Sequence, residues 1–73
     1  MSRAAVIGES ARTAGFALAG ALVLAAENAG EARAAWAGLP ADVAVVVLTP
    51  RAAAWLDTVT RARREVLLVV MPP

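Results

Sequence analysis

The sequence predicts an α/β fold built on a small parallel sheet with helices on both faces, in the chain order βαβαβαβ. Three observations carry this. Four apolar runs alternate with three helical patterns along the chain. Two of the runs, Val43–Leu48 and Val66–Met71, are apolar at every position, whereas an antiparallel surface strand would alternate. A parallel connection needs a dozen or more residues, and the helical patterns between the runs supply them.

The first run, Ala4–Ala5–Val6–Ile7–Gly8, is short, apolar and closed by glycine, as a buried parallel strand would be. Ser10 then caps a helix over about Ala11–Ala19, and Gly20 is its stop. Ala14, Leu18 and Ala21 keep the spacing of one face of that helix, with Phe16 to the side. Ala21–Leu22–Val23–Leu24–Ala25 reads as the second strand. Its border with the helix is not sharp, because Ala and Leu also favour helix.

Asn28 followed by Glu31 has the shape of a capping box. Ala32, Ala35, Trp36 and Leu39 then fall at i, i+3, i+4 and i+7, one face of an amphipathic helix. Pro40 ends it, and the chain turns at Ala41–Asp42. Val43–Leu48 should be a central strand covered by helices on both sides. Thr49–Pro50 starts the third helix, with Thr as cap and Pro at the first helical position. Ala52, Trp55, Leu56 and Val59 repeat the same spacing, so both tryptophans belong on core-facing stripes. Glu65 leads into Val66–Met71, expected as a second central strand, and Pro72–Pro73 cannot extend a ladder.

Seventy-three residues suit one domain over 1–73, with a marginal core that a partner would help to stabilise. The chain has no Cys and no His, which removes disulfides, thiolate chemistry, imidazole bases and the usual zinc sites. Its six acids are scattered and form no calcium-loop pattern. All seven cations are Arg, for a net charge of +1, so there is no basic surface for nucleic acid. Arg61, Arg63 and Arg64 form a cluster at a helix end, where they complement the helix dipole. The longest uncharged run, Thr13–Ala26, is fourteen residues, short of the ~20 that span a bilayer. As a signal peptide it is poor, since Glu9 sits in the basic region that would precede it.

Ligands of open parallel sheets bind beyond the carboxyl ends of the strands. That edge should carry Gly8–Glu9–Ser10–Ala11–Arg12–Thr13, the segment near Glu27–Asn28, Thr49–Pro50–Arg51 and the Pro72–Pro73 pair. The chemistry expected of known sites is missing there. A phosphoacceptor site would need an Asp where Thr49 stands and a Lys, and the chain has no Lys. A sugar-phosphotransfer module would need Cys or His after the first strand. Gly8–Gly15 contains neither a dinucleotide glycine fingerprint nor a P-loop. Ser10 and Thr13 are hydroxyls without a base, better suited to capping. Glu9 and Arg12 are placed to pair across the loop. No cofactor, metal or catalytic residue is expected.

Ala5–Val6–Ile7–Gly8–Glu9 followed by Thr13–Ala14–Gly15–Phe16–Ala17–Leu18–Ala19–Gly20 resembles the N-terminus of the F subunit of the V/A-type ATPases. The resemblance continues in Ala26–Glu27–Asn28, in Val46–Val47–Leu48–Thr49 and in the closing Val–Val–Met–Pro–Pro. Glu9 replaces the usual Asp, Ala17 a favoured Arg, and Pro50 a common acid. The resemblance implies a Rossmann/flavodoxin-like topology with strand order 2-1-3-4. It also implies a non-catalytic subunit of the central rotor stalk, without nucleotide of its own. Such a subunit would clasp the coiled-coil D subunit, with the catalytic head within reach. It would be cytoplasmic, peripheral to the membrane through the complex, and would couple ATP turnover to proton or sodium transport. Candidate interface residues are Gly8, Glu9, Ser10, Arg12, Thr13, Phe16, Thr49 and Pro50. The family continues into a further helix where this sequence ends, so docking is expected without that helix's regulatory reach. The competing class is a free-standing flavodoxin-like module with a small ligand at Gly8–Thr13 and Thr49.

Overall fold

The structure is a computed structural model that describes residues 2–60 and 66–73. The Arg61, Arg63 and Arg64 cluster and Glu65 therefore lie outside the described residues. Strand β1 (Arg3–Gly8) leads into α1 (Ser10–Thr13) and a 3-10 segment (Ala14–Ala19). Then come β2 (Leu22–Ala25), α2 (Ala29–Ala37), β3 (Val43–Leu48), α3 (Pro50–Thr60) and β4 (Leu67–Val70). All three strand pairings are parallel and the order is β2-β1-β3-β4, as expected.

Register decides which residues share a face, because side chains alternate along each strand. Ala5 and Ile7 lie beside Leu22 and Leu24 on one flank and Val46 and Leu48 on the other. Helices α2 and α3 roof this face. Asn28 Oδ1 accepts the Glu31 N–H at 2.9 Å, which starts α2 as the capping box predicts. The reciprocal arm lands one residue early, with Glu31 Oε1 accepting the Glu27 N–H at 2.8 Å. Ala32 and Trp36 are buried from α2, Leu39 from the turn that follows it, and Ala52 and Leu56 from α3. Burying a leucine fully contributes about 1.5–3 kcal/mol, so this face holds the core.

The opposite face carries Ala4, Val6, Val23, Val45, Val47, Leu67 and Val69. The step from β1 to β2 runs against the later steps, so its right-handed crossover falls on this side. The cover is thin. The expected helix over Ala11–Ala19 is one α-turn followed by six residues of 3-10 winding. Residues three apart eclipse in a 3-10 helix, so Thr13, Phe16 and Ala19 share the row on the sheet side, buried, half-buried and exposed in turn. Thr13 is buried, while Leu18, expected on the apolar stripe with Ala14 and Ala21, is 96% exposed. Ser10 is not the cap either: Glu9 precedes the helix and gives it no side-chain cap. Gly20 closes the segment at φ +85°, with its N–H directed to Ala17 and Phe16 carbonyls.

Two expectations about cover need correction. Strand β4 is an edge strand, not a central one, with Leu67 63%, Val69 44% and Val70 53% exposed. In β3, Val45 and Val47 are half-buried, so its second face is only partly roofed. An apolar residue at every position shows that a strand avoids water on both faces. It does not show whose side chains exclude the water.

Candidate functional site

Strand order reverses between β1 and β3, and the crevice beyond their carboxyl ends is where such folds take ligands. Here the chain fills it with its own side chains. Thr49, following β3, is wholly buried. Its hydroxyl donates to Glu9 Oε1 at 2.5 Å and accepts the Ala52 N–H at 3.2 Å, so it caps α3 while gripping the β1 loop. Gly8 makes this closure possible, because a Cβ there would collide with the Thr49 side chain. The Thr49 hydroxyl is the main reason that the Glu9 carboxyl lies below the usual carboxylate range. The positive charges of Arg12 and Arg51 contribute less.

The surrounding donors are satisfied in the same way. Glu27 Oε2 accepts the Ser10 N–H at 2.8 Å, where α1 begins. The Thr13 hydroxyl donates to the Glu9 carbonyl at 3.1 Å and is held in the helix backbone. Arg12 does not take the expected ion pair with Glu9; its Nη2 donates to the Pro72 carbonyl at 3.1 Å. Glu9 is engaged by Thr49 and by its own turn, where its carbonyl receives Arg12 and Thr13 N–H groups. An ion pair forms at the other end of the sheet, where Arg3 Nε meets Asp42 Oδ2 at 2.7 Å. Among the described residues, no three acids gather as a metal ion would require.

Seven of the eight candidate interface residues lie at this edge. Gly8, Thr13 and Thr49 are buried, Glu9 and Pro50 half-buried, and Ser10 and Arg12 exposed. Phe16 belongs elsewhere. With Ala19 it walls an open groove of about 450 Å³ on the thinly covered face, along with Ala4, Val6 and Val47. Sequence reasoning missed this groove and the clasp of Glu27 on Ser10. The absence of any charge from Thr13 to Ala26 was the available signal for the groove. Nothing in sequence spacing links Glu27 to Ser10, seventeen residues away.

This arrangement holds the loops after β1, β2 and β3 together. The family model of the ATP synthase (F/14-kDa) subunit matches residues 4–72, from within β1 to the segment after β4. No curated protein and no solved structure matches the chain. A match over almost the whole sequence shows that the chain belongs to the ATP synthase (F/14-kDa) subunit family, that of the F subunit of the V/A-type ATPases.

Proposed function

We propose that the chain is a non-catalytic central-stalk component of a V/A-type proton- or sodium-translocating ATPase or ATP synthase. It binds the coiled-coil D subunit on the cytoplasmic side and couples ATP turnover in the head to ion movement in the membrane. Family membership supports a place in the complex. The observation that carries the non-catalytic reading is the Glu9–Thr49 closure of the crevice where a ligand would sit. Phosphate binding at a helix start depends on free backbone N–H groups. Here Glu27 takes the Ser10 N–H, Asn28 the Glu31 N–H and Thr49 the Ala52 N–H. No helix among the described residues is long and apolar enough to cross a membrane. A flavodoxin-like ligand module would need the crevice open.

Two measurements test the reading. Mixed with the D coiled coil of its own complex, the chain should co-elute in size-exclusion chromatography; two separate peaks at micromolar concentration would overturn the stalk assignment. Calorimetry with ATP, ADP, FMN and NAD at millimolar concentration should give no saturable isotherm. One clean isotherm would restore the ligand-module reading.

A further inference from the structure

We propose that the uncovered half of the sheet, over β3 and β4, is the seat of one α-helix from a partner protein of the complex, presenting an uncharged aliphatic stripe. This rests on the reading of the chain as a working part of a larger assembly. Parallel sheets are buried on both faces. Helices α2 and α3 cover one face, leaving Val70 at its margin 53% exposed, while among the described residues the other has its short crossover on the β1 side and nothing comparable over β3–β4. Leu67 and Val69 are left 63% and 44% exposed there, beside half-buried Val45 and Val47. The groove walled by Phe16 and Ala19 runs along this boundary, with Val6 and Val47 at its base.

Size and charge select the occupant. Two strands at ~4.8 Å spacing make a strip roughly 10 Å wide, the width of a single helix with its side chains. No charged residue occurs in Thr13–Ala26, in β3 or in β4. Arg3 also lines the groove, but its guanidinium is taken up by Asp42, so among the described residues a charge on the incoming surface would lose its water without a free partner, and the stripe must be uncharged. A second copy of this chain does not supply such a stripe. The exposed surface of its α2 carries Glu31 and Arg33, that of α3 carries Arg51 and Asp57, and its 3-10 segment has six residues.

The chain has no Cys, so one introduced thiol carries a benzophenone photoprobe to a unique position. The chain with Leu67→Cys, and a control with Arg33→Cys on α2, would be labelled, mixed with the D coiled coil, irradiated and mapped by peptide mass spectrometry. The probe at 67 should join to an uncharged helical segment of D, and the probe at 33 should not. Val69→Glu should weaken D binding about tenfold or more, with thermal melting unchanged to show an intact fold. Crosslinking from 33 alone, crosslinking from 67 to a second copy, or full D affinity in Val69→Glu would each overturn the proposed surface while leaving the stalk reading intact. If the native chain fails to bind D at all, it is the stalk reading that falls.

Discussion

The two faces of the sheet are made from similarly apolar strands and end in opposite conditions. Under α2 and α3, Ala5, Ile7, Val46 and Leu48 are buried against Ala32, Trp36, Ala52 and Leu56, at 6% exposure or less. The outer surfaces of those helices carry Glu31, Arg33, Arg51 and Asp57, so that layer is finished toward water. On the crossover's side, Val6 is buried but Val47 is half-covered, and Leu67 and Val69 on β4, beyond the crossover, stand out. The 3-10 segment above contributes no charge of its own and leaves Leu18 in solvent. The first face therefore holds the chain together, and the second is the surface on which the proposed partner helix would sit.

The comparison breaks most readily at Leu56, which is fully buried between α3 and the sheet. Leu56→Ala should cost about 2–5 kcal/mol through lost burial and a cavity. A core of this size rarely provides more than about 3–5 kcal/mol, so the variant should lose most of its stability at 25 °C. Leu67→Ala, the same substitution on the open face, should cost within about 0.5 kcal/mol. Urea titration followed by tryptophan fluorescence measures both, with Trp36 and Trp55 reporting on the α2/α3 layer. Similar losses for the two leucines would mean that the faces are not as different as their exposures indicate.

Much of the first face was legible in the sequence. The i, i+3, i+4, i+7 stripes ending at Leu39 and Val59 named the buried helix residues, and Asn28 and Thr49–Pro50 marked both helix starts. The second face was legible only in part, because two physical facts escape a one-dimensional pattern. Ala and Leu fit both α and 3-10 winding, so the sheet-side row Thr13, Phe16, Ala19 could not be told from Ala14, Leu18, Ala21. A strand apolar throughout reads the same whether its own chain or another covers it, which is why β4 was expected at the centre. At the candidate site, Glu9 was paired with Arg12 on nearness in sequence. The fold instead brings Thr49, forty residues away, to the same carboxylate.

A smaller effect should come from the carboxyl edge, where both faces meet their loops. Thr49→Val keeps the shape of the side chain but removes the α3 cap, at about 1 kcal/mol. It also frees Glu9, which changes how stability depends on pH. The native Glu9 carboxyl is held low, mainly by the Thr49 hydroxyl, and Asp42 is held low mainly by Arg3. A lowered native pKa stabilises the fold above the unfolded carboxylate range of about 4, and the gain is lost as pH falls through the native value. Stability should therefore decline on acidification below about pH 4. Thr49→Val should flatten the Glu9 part of that decline, and Arg3→Gln the Asp42 part. Urea midpoints collected from pH 3 to 7 would check this, and an unchanged slope in Thr49→Val would remove the clasp from the account.

The smallest change in stability should be at Leu18, and it bears most directly on the contrast between the faces. At 96% exposure its side chain makes almost no contact that folding would add. Leu18→Ser should leave the urea midpoint within about 0.5 kcal/mol of the native chain. The row that faces the sheet depends on how the segment winds from Thr13, which is buried. Five residues on, Leu18 is turned about 240° in 3-10 geometry and about 140° in α geometry, away from the sheet in both. Rewinding of the crossover therefore does not rescue a buried Leu18. A loss above about 1 kcal/mol would instead mean that Leu18 packs on the sheet in solution, that Phe16 does not wall the groove as described, and that the second face is closed rather than open.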